Sequence, residues 1–133
     1  MQQIKVYAKT PEDAAYFRGQ FLMKAEQYFP RLSEWCPPIY IGVNPPNGLL
    51  AAYHHIPADA KYIYIQSTDI MPGRNDFDAQ ADFIYHELAH VFEYKFMNWR
   101  AGQFDERFAQ AVHDAVRSGN KLLYVVLTQM MGR

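Results

Sequence analysis

The residues best suited to chemistry lie in one run, His86-Glu87-Leu88-Ala89-His90. On an α-helix, histidines at this spacing lie on one face, about 6 Å apart along the axis. Two such imidazoles can converge on a single Zn²⁺ with bonds of about 2.0–2.1 Å. Glu87 lies next to the first histidine, where its carboxylate can take a proton from a water at the metal. The spacing therefore predicts a zinc site with its own general base.

The surrounding sequence favours a buried helix. Residues 78–97 contain neither Gly nor Pro, and their apolar residues recur at helical spacing. Asp76 or Asp78 is a candidate cap after the breakers Pro72-Gly73. Histidines inside an apolar helix need polar partners, and one metal ion supplies a partner for both. The alternative is a pair of hydrogen-bonded core histidines without metal.

A catalytic zinc site needs a third protein ligand as well as a position open to water. Glu93 lies on the same helical face, but seven residues of helix after His86 span about 10.5 Å, too far for one coordination sphere. The third ligand is therefore expected from another element. A second helical pattern covers 104–117 and ends at Ser118-Gly119-Asn120.

Glu106 is the predicted third ligand. It lies in the first turn of the second helix, which a short loop would bring back antiparallel to the first. An acid in this position is also explained by a favourable interaction with the helix dipole. The other candidates for the ligand are Asp105, and after it His113 or Asp114.

This arrangement resembles the gluzincin branch of the zincin metallopeptidases, in a compact single-domain form. Those enzymes take their third ligand, a Glu, from a helix that follows the His-Glu-x-x-His helix, and a small residue often comes three positions later. Glu106-Arg107-Phe108-Ala109 matches that pattern. The next position in the family is often an Asp that supports the first histidine, whereas this chain has Gln110. That support is therefore expected from Gln110, Asp114 or a backbone carbonyl.

The resemblance implies a zinc-dependent peptidase that binds an extended peptide or protein substrate and cleaves it internally. His86, His90 and Glu106 would hold Zn²⁺, and Glu87 would act as general base. Tyr94, about one turn after His90, is a candidate donor to an oxyanion. The alternative function is a catalytically silent zincin-like binding or regulatory module. The presence of Glu87 argues against that alternative, because a module that only holds metal needs no base.

Composition bounds the class of protein. The chain has 133 residues, half of them hydrophobic, which suits a single domain with its own core. A net charge of −1 argues against a nucleic-acid partner, and the single Cys36 excludes an internal disulfide. No apolar run approaches the roughly 18 residues of a membrane span, and the N-terminus lacks a secretory signal pattern. We therefore expect a cytoplasmic monomer without a membrane partner.

The elements that must position the site follow the order β-α-β-β-β-α-α, with an apolar tail. The predicted strands are four short segments, 4–8, 39–43, 49–55 and 61–66. The first helix runs from a Thr10 cap to about Tyr28, and the tail at 121–130 is open between strand and helix. We expect an α+β, zincin-like domain with a small, mostly antiparallel sheet packed on the metal-binding helix. The resemblance implies that an edge strand, 49–55 or 61–66, binds substrate by strand addition.

Overall fold

A computed structural model of the chain describes residues 3–45, 60–65, 81–97 and 106–132. Its strands are β1 (Val6–Ala8), β2 (Ile39–Ile41) and β3 (Ile63–Ile65). Its helices are α1 (Pro11–Phe17), α2 (Met23–Ala25), α3 (Leu32–Trp35), α4 (Ile84–Phe96), α5 (Glu106–Ser118) and α6 (Leu122–Met131). The predicted strand at 49–55 and the candidate caps Asp76 and Asp78 lie outside the described residues.

The sheet is parallel, so the prediction of a mostly antiparallel sheet was wrong. In the described strands the order is β1-β2-β3, and Val6, Ile39 and Ile63 lie side by side with all strands running the same way. The prediction was drawn from the order of elements, in which the strands 39–43, 49–55 and 61–66 follow one another in sequence. Parallel pairing instead needs a long crossover, and the helices from α1 to α3 form the crossover between β1 and β2.

The strands present different residues on their two faces. Side chains alternate along a strand, so the four isoleucines of β2 and β3 share one face and are all buried: Ile39, Ile41, Ile63 and Ile65. These isoleucines belong to the same core as Ile84 and Leu88 of α4, and β3 contacts α4 directly. The sheet therefore forms an apolar support for the helix that carries both motif histidines.

The first helix begins as predicted but is not regular throughout. Thr10 caps it, because its hydroxyl oxygen accepts a hydrogen bond from the Asp13 amide at 3.1 Å. A π-helical turn, Arg18–Leu22, separates α1 from α2. The Tyr85 hydroxyl of α4 donates to the Phe21 carbonyl in this turn at 3.3 Å. The irregular turn is thereby linked to the helix of the motif, one residue before His86.

Aromatic packing fixes the far end of α4. Trp35 of α3 meets Phe92 and Phe96 edge to face, with ring centroids 5.8 Å and 5.7 Å away. Its indole N–H donates to the Pro30 carbonyl at 2.9 Å, so the buried ring has a polar partner. This contact positions α4 along its length, because Phe92 lies only two residues after His90.

The chain turns sharply at the end of α5, as predicted for 118–120. Gly119 has a φ of 76°. Its N–H donates to the Val116 carbonyl at 3.1 Å, and the Asn120 N–H donates to the Ala115 carbonyl at 2.8 Å. Together these bonds form a Schellman cap. The apolar tail that follows is helical, and none of the helices in the described ranges is both long and apolar enough to cross a membrane.

We expect Gly119→Ala to lower the free energy of unfolding by about 1 kcal/mol, because a β-carbon is disfavoured at this positive φ. Urea denaturation measures the change. Gly19→Ala is the matched control, since a β-carbon at Gly19 meets no atom within 4 Å, and it should leave stability unchanged or slightly higher. Equal losses in the two variants would contradict this account of the α5 end.

Candidate metal centre

Two histidines of α4 and one glutamate at the start of α5 converge. The Nε2 atom of His86 lies 2.7 Å from one carboxylate oxygen of Glu106, and the Nε2 atom of His90 lies 3.0 Å from the other. One ligand atom from each of the three residues lies within 4.8 Å of the others. We call these three residues the His-His-Glu cluster. The geometry thus brings together the residues that the sequence predicted as ligands.

The cluster depends on how α4 and α5 pack. The helical spacing puts the rings of His86 and His90 on one face of α4, with centroids 5.0 Å apart. α5 runs back antiparallel to α4, since Glu106 at its start meets the histidines while Arg117 near its end meets Asp82. The histidine side chains are 12% and 6% exposed, whereas that of Glu106 is 71% exposed. The cluster is therefore open to solvent on the side of Glu106.

The donor set suits a catalytic zinc ion. Zinc binds imidazole nitrogen and carboxylate oxygen at about 2.0–2.2 Å, so neighbouring ligands of a tetrahedral ion lie about 3.3 Å apart. The separations in the cluster, 2.7 Å and 3.0 Å, are slightly shorter. Small side-chain movements would therefore admit an ion. Three protein ligands leave a fourth position, which distinguishes a catalytic from a structural zinc site.

His90 has a second carboxylate behind it. Its Nδ1 atom lies 3.3 Å from Oε1 of Glu93, whose side chain is fully buried. Burial alone lowers the pKa of His90, but the hydrogen bond to Glu93 and the nearby charges of Glu87, Glu106 and Glu93 outweigh it and raise the pKa. When Nδ1–H donates to Glu93, the ring is turned so that Nε2 faces Glu106. A metal bound there would take the place of the proton on Nε2.

Glu93 was missed as a supporting residue. The helical spacing places Glu93 on the metal face, but it was weighed there only as a direct ligand. Its position three residues after His90 was the available signal, because residues three apart on a helix are neighbours. An acid at that spacing can bond the ring nitrogen that faces away from the metal.

His86 has a different environment. Burial lowers its pKa, and the imidazoles of His90 and His113, when protonated, act in the same direction, while the hydrogen bond with Glu106 opposes them. Its Nδ1 atom is buried and has no hydrogen-bond partner among the described residues. Of the two motif histidines, His90 therefore has a partner at Nδ1, whereas His86 has none among the described residues.

Glu87 lies beside the cluster and is almost excluded from solvent. The residue is 6% exposed. Burial raises the pKa of its carboxyl to about 7; the charge of Glu106 adds to the rise, while that of His90 opposes it. A carboxyl with a pKa near neutrality can both accept and return a proton at physiological pH.

A second set of polar side chains, Asp82, His113 and Arg117, joins the start of α4 to α5 behind His86. The Asp82 carboxylate lies 2.9 Å from Nε2 of His113 and accepts a hydrogen bond from Nε of Arg117 at 2.7 Å. The His113 ring packs 5.9 Å from that of His86, centroid to centroid. His113 had been a lesser candidate for the third ligand, but its Nε2 atom faces Asp82 and it is not part of the His-His-Glu cluster.

The remaining predicted residues lie around the site without joining the cluster. Gln110 donates to Asp114 at 2.9 Å on the exposed side of α5, so these two candidates for histidine support bond each other. Tyr94 is partly buried and packs against the core. Asp105, the alternative third ligand, lies outside the described residues.

Comparisons with known protein families, curated proteins and solved structures found no match to this chain. The resemblance to gluzincins therefore stays a prediction. The functional interpretation depends on the geometry of the cluster itself.

Asp82 makes stability depend on pH. Burial raises the pKa of its carboxyl, but the hydrogen bonds and charges of His113 and Arg117 outweigh burial and hold the pKa below its usual value. The unfolded chain, with an Asp pKa of about 3.9, therefore takes up this proton first as the pH falls. The stabilisation is complete above that pH and is lost as the pH falls through the folded pKa.

We expect Asp82→Asn to lower the free energy of unfolding by about 1–2 kcal/mol at pH 7, because both hydrogen bonds lose their charged acceptor. The difference from wild type should shrink in acid, as the pH falls from the unfolded Asp pKa of about 3.9 through the lowered pKa of the folded Asp82 carboxyl. Urea denaturation at pH 7 and across this acid range measures it. A difference that does not change with pH would show that the charge of Asp82 does not stabilise the fold.

Proposed function

We propose that this protein is a zinc-dependent metallopeptidase. One observation carries the proposal: the Nε2 atoms of His86 and His90 both face the Glu106 carboxylate, at 2.7 Å and 3.0 Å, beside the buried carboxyl of Glu87. The three-residue cluster supplies the donor set of hydrolytic zinc enzymes. The fourth residue supplies a base that metal binding alone would not require.

His86, His90 and Glu106 would hold the ion. When bound, zinc would lower the pKa of water and polarise a carbonyl oxygen. Glu93 would keep the His90 ring turned so that Nε2 points into the cluster, where it faces Glu106. The exposed side of Glu106 leaves the site open to a substrate from solvent.

Glu87 would carry the proton during hydrolysis. Its carboxylate takes one proton from the attacking water as the water oxygen bonds to the peptide carbonyl carbon. It then passes that proton to the amide nitrogen as the carbon–nitrogen bond breaks, giving a free carboxyl end and a free amine. A carboxyl whose pKa burial has raised to about 7 is suited to both transfers.

We propose an extended peptide segment as the substrate, cleaved internally. Peptides can bind by adding a strand to the edge of a sheet. Among the described strands, β3 lies at the end of the sheet and contacts α4. This position supports β3 as the strand along which a peptide would lie near the cluster.

Removing a ligand should remove the metal. We expect His86→Ala and His90→Ala to abolish stoichiometric zinc, and Glu106→Ala to weaken zinc binding by about tenfold or more. Metal analysis of gel-filtered protein measures stoichiometry, and competition with a chelator measures affinity. Glu34→Ala is the control, because Glu34 pairs with Arg31 on the surface. Near-normal affinity in Glu106→Ala would move the third ligand to another residue, with Asp105 first.

Removing the base should separate binding from catalysis. We expect Glu87→Gln to bind zinc as wild type does but to cleave peptides at least about 100-fold more slowly, because glutamine cannot take the proton. Mass spectrometry of a broad peptide library treated with zinc-loaded protein measures cleavage. Unchanged cleavage in Glu87→Gln would exclude its role as base. A zinc-loaded wild type that cleaves nothing would favour a binding or regulatory module.

A further inference from the structure

Two buried nitrogen atoms near the cluster both lack a hydrogen bond. Among the described residues, Nδ1 of His86 and Nδ1 of His113 are the buried side-chain polar atoms without a hydrogen-bond partner. Their rings are neighbours, 5.9 Å between centroids and inclined by 75°. Leaving a buried polar atom without a hydrogen bond is unfavourable. Two such atoms on adjacent rings therefore suggest a common explanation.

The proton positions make the two atoms complementary. His113 faces the Asp82 carboxylate through Nε2 at 2.9 Å, and a carboxylate that also receives Arg117 can only accept. Nε2 of His113 therefore carries the proton, and in the neutral ring Nδ1 presents a lone pair. His86, if its Nε2 binds metal, carries its own proton on Nδ1 and needs an acceptor for it.

We propose that His113 is the positioning residue of His86 and accepts the Nδ1–H of that ring when zinc is bound. The two Nδ1 atoms do not bond each other in this structure, so the contact requires one bridging water or a small shift of the rings. The inference rests on the proposed zinc site. Asp82 fixes the proton of His113 on the far nitrogen, so the order of contacts is Asp82, His113, His86, metal. His90 receives the equivalent support from Glu93 at 3.3 Å. Each histidine ligand would then have one partner behind it.

The competing explanation is purely structural. His113 is almost completely buried and joins α5 to Asp82, just before α4, whatever His86 does. Gln110, the other candidate on α5, already bonds Asp114 at the surface. A test must therefore separate the contact of His113 with Asp82 from its contact with His86, and two substitutions at one position do so.

His113→Gln and His113→Asn each retain one of the two hydrogen-bonding positions of the imidazole ring. The longer glutamine can place an N–H where Nε2 stood and keep the bond to Asp82, but it has no acceptor in place of Nδ1. The shorter asparagine can place its oxygen near the Nδ1 position but cannot reach Asp82. Chelator competition gives the zinc affinity of each variant, and urea denaturation without zinc gives its stability.

If His113 positions His86, the two variants should respond in opposite ways in zinc affinity and in stability. We expect His113→Gln to keep the stability of the metal-free protein but lose about 10–100-fold in zinc affinity. We expect His113→Asn to lose stability but keep zinc affinity within about threefold of wild type, because the acceptor behind His86 remains. In zinc-loaded protein, nitrogen-15 NMR should show the His86 Nδ1–H as a slowly exchanging proton in wild type and His113→Asn, and a fast-exchanging one in His113→Gln.

The outcomes distinguish this inference from the proposed function. Unchanged zinc affinity in His113→Gln, or affinity that simply follows stability in both variants, would overturn the positioning role while leaving the zinc site intact. Zinc binding without peptide cleavage would overturn the peptidase but not the positioning role, since affinity and the NMR signal are read without catalysis. A wild type that binds no zinc would overturn both.

Discussion

Burying imidazole rings in an apolar helix is the constraint around which this structure is organised. Leu88 and Ala89, between the motif histidines, are fully buried, so the polar atoms of the rings need protein partners rather than water. Carboxylates from two directions meet that need for His90, Glu106 in front and Glu93 behind. The antiparallel packing of α5 on α4 is what brings the front carboxylate to both rings.

The rest of the fold maintains that packing. The parallel sheet supports α4 from one side with buried isoleucines, and Trp35 holds its far end through two edge-to-face contacts. The bonds of Asp82 with His113 and Arg117 join the start of α4 to the far half of α5. Glu106 therefore lies over the histidines because the bonds at Asp82 and the stacking of Phe92 on Phe108, with centroids 6.4 Å apart, align the two helices.

Neighbouring residues of one helix acquire different acid–base properties from this packing. Burial dominates at His86 and lowers its pKa, whereas adjacent carboxylates reverse the effect of burial at His90 and raise its pKa. At Glu87 burial prevails and moves the pKa to about 7. The balance between desolvation and nearby charge thus gives His86, Glu87 and His90 three different acid–base properties within five residues.

The residues of the motif and the helix that carries them could be read from the sequence, because helical spacing and the absence of breakers are local properties. Glu106 could be named as a ligand candidate for the same reason, but only packing could bring it to 2.7 Å from His86. The direction of the strands could not be read, since β2 pairs with a strand distant in sequence and local pattern says nothing of that choice. Glu93 behind His90 was within reach of the sequence, since the two residues lie three apart on one helix. The pairing of His113 with Asp82 was decided by tertiary structure, because burial determines which polar atoms lack water and must find each other.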